Sequence, residues 1–298
     1  MNVQSVLDKA ARKVKYRYLI ELLNKKADFP YAVVKGEVLS VLAYGAPGKR
    51  NNGDIDVLVD KKDIKALETI LKEDEFESAD LTRQEKIVAR AFSHQIEPYY
   101  KQLPLGTLEI DINYELIWGE WKGKRPDVSE MLARRETIDI FGVQVPTLTV
   151  EDSFIQMCLH HYKDMNVLFH LTLHNPINRR LFNDVAGFWK LQRNNMDLEK
   201  LQRWMEEYEV MPFFYYIVYY TAKVCDVPEL AEWAKQLESP EGIALLDTFG
   251  LTESERKVWP IPFESRFENE QLPELVRSML TKKELEKAEQ NHKIFGGS

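Results

Sequence analysis

The chain has 298 residues, 44% of them apolar, which is enough for two modest domains or one large one with a real core. Acidic residues outnumber basic ones by 48 to 40 for a formal charge of −8, and a net negative surface repels the phosphate backbone that dominates nucleic-acid affinity, so a small substrate is expected over long RNA or DNA. Cys158 and Cys225 are too few for a disulfide scaffold and show no zinc spacing; with a charged N-terminus and no run near the ~20 apolar residues of a membrane span, a cytoplasmic protein is expected.

Residues 3–26 place Val6, Leu7, Ala10, Val14, Tyr18 and Leu22 at steps of three and four, the period of an amphipathic helix. From Tyr31 a short apolar run, YAVV, meets Lys35-Gly36, and a second helical pattern follows in which Val38, Val41 and Leu42 share a face. The loop YGAPGKRNNG leads into DIDVLV, where alternation puts Ile55, Val57 and Val59 on one side and Asp54, Asp56 and Leu58 on the other. Residues 61–77 read as a helix with Ile64, Leu67, Ile70 and Leu71 inward. Strands are expected at IVARAFSHQIEPYY and at TLEIDINYEL, joined by the turn LPLG.

Trp121 to Pro146 is a polar connector with one short helical piece, VSEMLARRE, and a small hairpin around IDIFGVQV. Thr149 and Asp152 then form a capping-box pattern, and nearly every segment to about residue 245 reads as helix, followed by a charged helix fraying into a tail. The expected domains are residues 1–120, a connector at 121–146, and an α-helical domain at 147–298. The fold class is α+β, a small mixed sheet with flanking helices plus a helical C-terminal domain.

The chemistry concentrates in the first domain. Two aspartates at i and i+2 on one strand face repel each other and need a partner, for which a divalent cation with hard oxygen ligands, Mg²⁺ or Mn²⁺, is suited. In TLEIDINYEL, Glu109, Asp111 and Asn113 face away from Leu108, Ile110 and Ile112, so Asp111 offers a third carboxylate. Two cations in such a site bridge a triphosphate and an attacking hydroxyl. Strand, Lys35-Gly36 and helix supply a backbone turn and a helix N-terminus suited to phosphate, with Lys35 and Arg50 as candidate phosphate contacts.

The run VVKGEVLSVLAYGAPGKRNNGDIDVLV resembles the signature of DNA polymerase β-type nucleotidyltransferases. With Arg50, SHQIEP, LEIDINYEL and VPTLTVEDSFIQMCLHHYKD, it is similar to an uncharacterised bacterial nucleotidyltransferase family over roughly residues 20–190. The resemblance implies that Gly36 opens a triphosphate-binding turn, that Asp54 and Asp56 bind metals, and that Asp111 is the third carboxylate and helps activate the attacking hydroxyl. It implies transfer of a nucleoside monophosphate from an NTP to an acceptor hydroxyl. A small-molecule acceptor is expected, with tRNA or protein as the alternative and a non-catalytic nucleotide- or partner-binding descendant as a further one. Glu37 departs from the superfamily's usual Gly or Ser and places a carboxylate where phosphate is expected.

Other residues have competing roles. His94 is a candidate base or a polar strand residue. His160 and His161 are expected to pack against carboxylates such as Asp164, and His170 and His174 have a zinc-compatible spacing without an intervening Glu. Arg179, Arg180 and Asp184 fall on one helix, and FFYYIVYY is expected in the bundle core.

Overall fold

A computed structural model describes residues 3–50 and 53–295, and the chain divides into two compact units, the first formed by residues up to 116 together with 126–153, the second by 117–125 and 154–297. The first unit runs α1 (Val3–Lys26), β1 (Tyr31–Val34), α2 (Gly36–Tyr44), β2 (Ile55–Val59), α3 (Ile64–Glu73), β3 (Glu77–Ser78), α4 (Arg83–Phe92), β4 (Tyr99–Leu103), β5 (Gly106–Asn113), α5 (Val128–Ala133), β6 (Glu136–Ile140) and β7 (Val143–Thr147). Among the described residues these strands form one mixed sheet in the order β3-β4-β5-β2-β1-β7-β6. β1 is antiparallel to β2 and parallel to β7, while β2 is parallel to β5.

The central strands are apolar because both faces are covered. Every residue of β1 and β2 is buried, which is why Leu58 is as apolar as the Val57 beside it. β5 keeps the alternation, with Leu108, Ile110 and Ile112 in the core. α3 buries Ile64, Leu67, Ile70 and Leu71, the expected face, after a single 3₁₀ turn at Lys61–Asp63.

Three local expectations are corrected. α1 buries Tyr16, Leu19, Ile20 and Leu23, spaced at i, i+3, i+4 and i+7, whereas Leu7 and Val14 are exposed; two apolar stripes compete on this helix and the bulkier one packs. The first part of IVARAFSHQIEPYY is helix, not strand. Thr82 and Glu85 form a reciprocal capping box, with Thr82 N donating to Glu85 Oε2 at 2.8 Å and Glu85 N to Thr82 Oγ1 at 3.3 Å. That local cap overrides the β-branched character of Ile87 and Val88. His94 accordingly lies beyond α4, its carbonyl accepting from Tyr114 N at 2.9 Å alongside the end of β5.

The stretch expected as a connector at 121–146 is divided. Residues 117–125 belong to the second unit, and from Pro126 the chain rejoins the first. The hairpin β6–β7 extends the main sheet, its β7 pairing with β1 at Val33↔Thr147, where Thr147 Oγ1 donates to Val33 O at 2.9 Å. Arg134 closes this return with a bidentate pair to the buried Asp152, at 2.7 and 2.8 Å.

The second unit takes α6 (Val150–Asn166) from Phe154 onward, then α7 (Leu168–Leu171), α8 (Arg179–Gln192), α9 (Leu198–Glu207), α10 (Met211–Cys225), α11 (Pro228–Leu237) and α12 (Pro240–Leu246). A two-stranded ribbon of β8 (Thr248–Phe249) and β9 (Lys257–Val258) precedes α13 (Phe263–Arg266), α14 (Leu272–Met279) and α15 (Lys282–Phe295). The tail expected after α15 falls on 296–298, outside the described residues. α10 carries the aromatic run into the core: Phe213 lies 4.5 Å from Tyr162 between ring centroids, and Tyr220 stacks on Phe263 at 3.9 Å.

The adjacent histidines of α6 each meet a carboxylate, as expected, but different ones, His160 reaching Asp164 at 3.0 Å and His161 reaching the fully buried Asp184 at 3.4 Å. Burial pushes His170 down to about 4, so it is neutral near pH 7. His170 and His174 join no three-ligand metal group among the described residues. No helix among the described residues is long and apolar enough to cross a membrane.

Candidate active site

Parallel pairing of β2 with β5 sets Asp56 directly opposite Asp111, between the apolar pairs Ile55↔Ile110 and Val57↔Ile112. Residues in register on adjacent strands share a face, so the two carboxylates project together, opposite the face of the two apolar pairs beside them. Asp54, one residue before β2, joins them. Carboxylate oxygens of Asp54, Asp56 and Asp111 all lie within 4.8 Å of one another, the only such group of potential ligands among the described residues.

Asp56 and Asp111 are 3% and 5% exposed, and Asp54 is half-buried. Like charges this close in a desolvated site cannot all ionise at low cost. Burial, then Asp56 and Asp54, push the Asp111 carboxyl up to about 7. Burial and Asp56 also raise Asp54, against the opposing pull of Lys35 and Arg50.

Lys35 supplies the compensating charge. Its Nζ donates to Asp56 Oδ1 at 2.5 Å, and Asn113 Nδ2 donates to the same oxygen at 3.2 Å. Burial alone pulls the Lys35 ammonium down, but Asp56, Asp111 and Asp54 outweigh it and hold it above its ordinary value. Asp111 Oδ1, in contrast, is buried with no hydrogen-bond partner. Three hard carboxylate oxygens, one of them buried and unpartnered, fit a divalent cation such as Mg²⁺ or Mn²⁺.

Beside the carboxylates, the backbone turns sharply from β1 into α2. Lys35 adopts φ 53° and ψ −140°, and Gly36 has φ 36°. A Cβ on Gly36 would meet Asp54 O at 3.8 Å, an ordinary contact, so glycine is required there by backbone conformation and not by space. Lys35 in this region costs about 1–3 kcal/mol, a strain typical of functional turns. No side chain caps the N-terminus of α2 at Lys35, so its first N–H groups remain suited to an anion.

Glu37 does not face that turn. It is 2% exposed, accepts from Gly48 N at 2.6 Å through Oε2, and pairs with Arg12 at 3.5 Å through Oε1. Ser40, one turn on, accepts from Lys49 N at 2.8 Å and Arg50 N at 3.1 Å and donates to Ala46 O at 2.9 Å. Arg12 also donates to Arg50 O at 2.6 Å. The departure at Glu37 is thus an anchor for the loop that carries Arg50 toward Asp54.

Asn113, Ser40, Glu37 and Arg12 were not singled out as site-building residues from sequence. Asn113 had a usable signal, sharing strand parity with Asp111. Glu37 and Ser40 lie three apart on one helix face, a weaker hint. Arg12 had none, since only the packing of α1 brings it there.

Two outcomes follow from this geometry. Because the folded chain holds a proton on Asp111 up to about pH 7 that the unfolded chain releases near pH 4, this group's stability contribution is full below about pH 4 and lost as pH rises through 7. Metal-free Asp111→Asn should therefore be more stable than wild type at pH 8, on the order of 1–4 kcal/mol, with the gap closing toward pH 4. Urea unfolding in EDTA measures this, and a variant less stable than wild type at pH 8 contradicts it. Glu37→Ala should destabilise by about 1–3 kcal/mol by orphaning Gly48 N–H and removing the ion pair with Arg12, with Glu37→Gln costing less because it still accepts from Gly48. Equal losses for the two variants would show that the loop anchor is not what Glu37 supplies.

A comparison with curated proteins returns no match. Solved structures similar to the chain include the solution structure of the antibiotic-resistance factor ANT(2'')-Ia, 10% identical, covering 65% of this chain and 89% of that one with a TM-score of 0.37. Another is the crystal structure of an antigenic nucleotidyltransferase-like protein from Paracoccidioides brasiliensis, 18% identical, covering 64% and 91% with a TM-score of 0.33. The sequence profile described as uncharacterised nucleotidyltransferase matches residues 4–226, from α1 to the end of α10 and across Lys35, Gly36, Asp54, Asp56 and Asp111. The chain belongs to this uncharacterised nucleotidyltransferase family.

Proposed function

We propose that the protein transfers a nucleoside monophosphate from an NTP to an acceptor hydroxyl, using Mg²⁺ or Mn²⁺ held by Asp54, Asp56 and Asp111. The observation that carries this reading is the convergence of three carboxylates, with a buried unpartnered oxygen on Asp111, beside an uncapped helix N-terminus. When bound, the cation supplies charge neutralisation for the triphosphate and the developing negative charge.

The chain's own residues divide the remaining work. The Lys35-Gly36 turn and the first N–H groups of α2 receive the triphosphate, and the anchored loop holds Arg50 where its charge already acts on Asp54. The acceptor oxygen attacks the α-phosphorus, its proton passes to Asp111, and the bond to the β-phosphate oxygen breaks to release pyrophosphate. The acidic total charge of −8 favours a small-molecule acceptor over a polyanion.

Incubation with each α-labelled NTP and Mg²⁺ or Mn²⁺, alone and with cell extract, tests the reading. Pyrophosphate release or label transfer should fall at least about 100-fold in Asp54→Asn/Asp56→Asn, the loss expected when several kcal/mol of charge stabilisation is removed. Equal rates in wild type and variant would sink it.

A further inference from the structure

We propose that Lys35 permanently takes one of the two cation positions expected in a centre of this kind, so that the protein works with a single divalent cation. The inference rests on the metal-dependent reading above and specifies its stoichiometry.

The lysine is built into the acidic centre. Val34 pairs with Asp56 across β1 and β2, so the residue after it leaves the strand directly over that aspartate. Lys35 is only 8% exposed and its Nζ lies 2.5 Å from Asp56 Oδ1. Its Cα–Cβ direction is set by a backbone conformation of φ 53° and ψ −140°, held between a fully buried strand and a helix whose first residues are buried. The backbone sets where the stem starts, and burial together with the bond to Asp56 holds the ammonium at its end.

The ligand count points the same way. A two-cation centre needs carboxylates that serve both ions. Asp56 Oδ1 already accepts from Lys35 and from Asn113, which leaves that oxygen saturated. Asp111 Oδ1 has no partner and stays open to an ion. In charge terms, three carboxylates and one ammonium total −2 when ionised, which one divalent cation neutralises. A second cation on Asp56 would meet the ammonium at contact distance in a desolvated site, where like charges repel strongly. Lysine serves there as a compact point charge with three donors, able to face phosphate oxygens without a coordination shell of its own.

Counting bound ions on the full chain decides the matter. Mn²⁺ is added with the α,β-methylene analogue of each NTP in turn, bound Mn²⁺ is counted by native mass spectrometry, and its environment is read by electron paramagnetic resonance. Two ions about 3.5–4 Å apart are exchange-coupled, whereas a single ion gives an isolated-ion spectrum. Wild type and Lys35→Arg should bind one Mn²⁺ with the isolated spectrum, and Lys35→Met should bind two with the coupled spectrum. A coupled pair in wild type, or a single ion in Lys35→Met, overturns the inference while leaving metal-dependent transfer intact. If Lys35→Met does not fold, the wild-type count alone decides. Absence of bound Mn²⁺ in wild type and Asp54→Asn alike would overturn both.

Discussion

The register of β2 against β5 is the constraint from which the rest of the first unit can be understood. Parallel pairing that aligns Ile55 with Ile110 and Val57 with Ile112 satisfies the core, and it places Asp56 against Asp111 as an unavoidable consequence. A slip by one residue would set Asp56 against an isoleucine and turn the carboxylates of the two strands to opposite faces, so the register that matches the apolar residues also enforces the electrostatic crowding. The fold spends part of its core stability holding three carboxylates within 4.8 Å of one another. Proteins keep such a conflict where a ligand resolves it.

Compensation for that crowding comes from elements far apart in sequence. Lys35 arrives from the end of β1, Asn113 from the end of β5, and Arg50 from a loop that Glu37, Ser40 and Arg12 fasten to α2 and α1. The strained Lys35-Gly36 turn serves two purposes at once. It starts α2 with an uncapped N-terminus, and it aims the lysine into the carboxylates. Glu37, which by residue type alone opposes phosphate, is removed from the turn by being buried as the loop's anchor.

Much of this was legible in the sequence because it depends on short-range rules. Strand alternation assigned Asp54, Asp56 and Asp111 to common faces, the apolar-Lys-Gly step marked the turn, and the spacing of Ile64, Leu67, Ile70 and Leu71 gave the buried face of α3. What escaped was of two kinds. On α1 and α4 local signals competed, and the decisive ones were the bulk of Tyr16, Leu19, Ile20 and Leu23 and the Thr82–Glu85 capping box. Elsewhere the answer is non-local. Nothing in residues 121–146 announces that β7 will lie parallel to β1 more than a hundred residues earlier, or that Arg12 of α1 will meet Glu37.

The central claim is that the crowding of Asp54, Asp56 and Asp111 exists to hold a divalent cation. Anomalous diffraction from crystals soaked in Mn²⁺ tests it most directly. The account predicts an anomalous peak among these three carboxylates, at the roughly 2.1–2.2 Å ligand distances of a hard octahedral cation. A peak only elsewhere, or Lys35 and the three aspartates unchanged around an empty centre at saturating Mn²⁺, would contradict it.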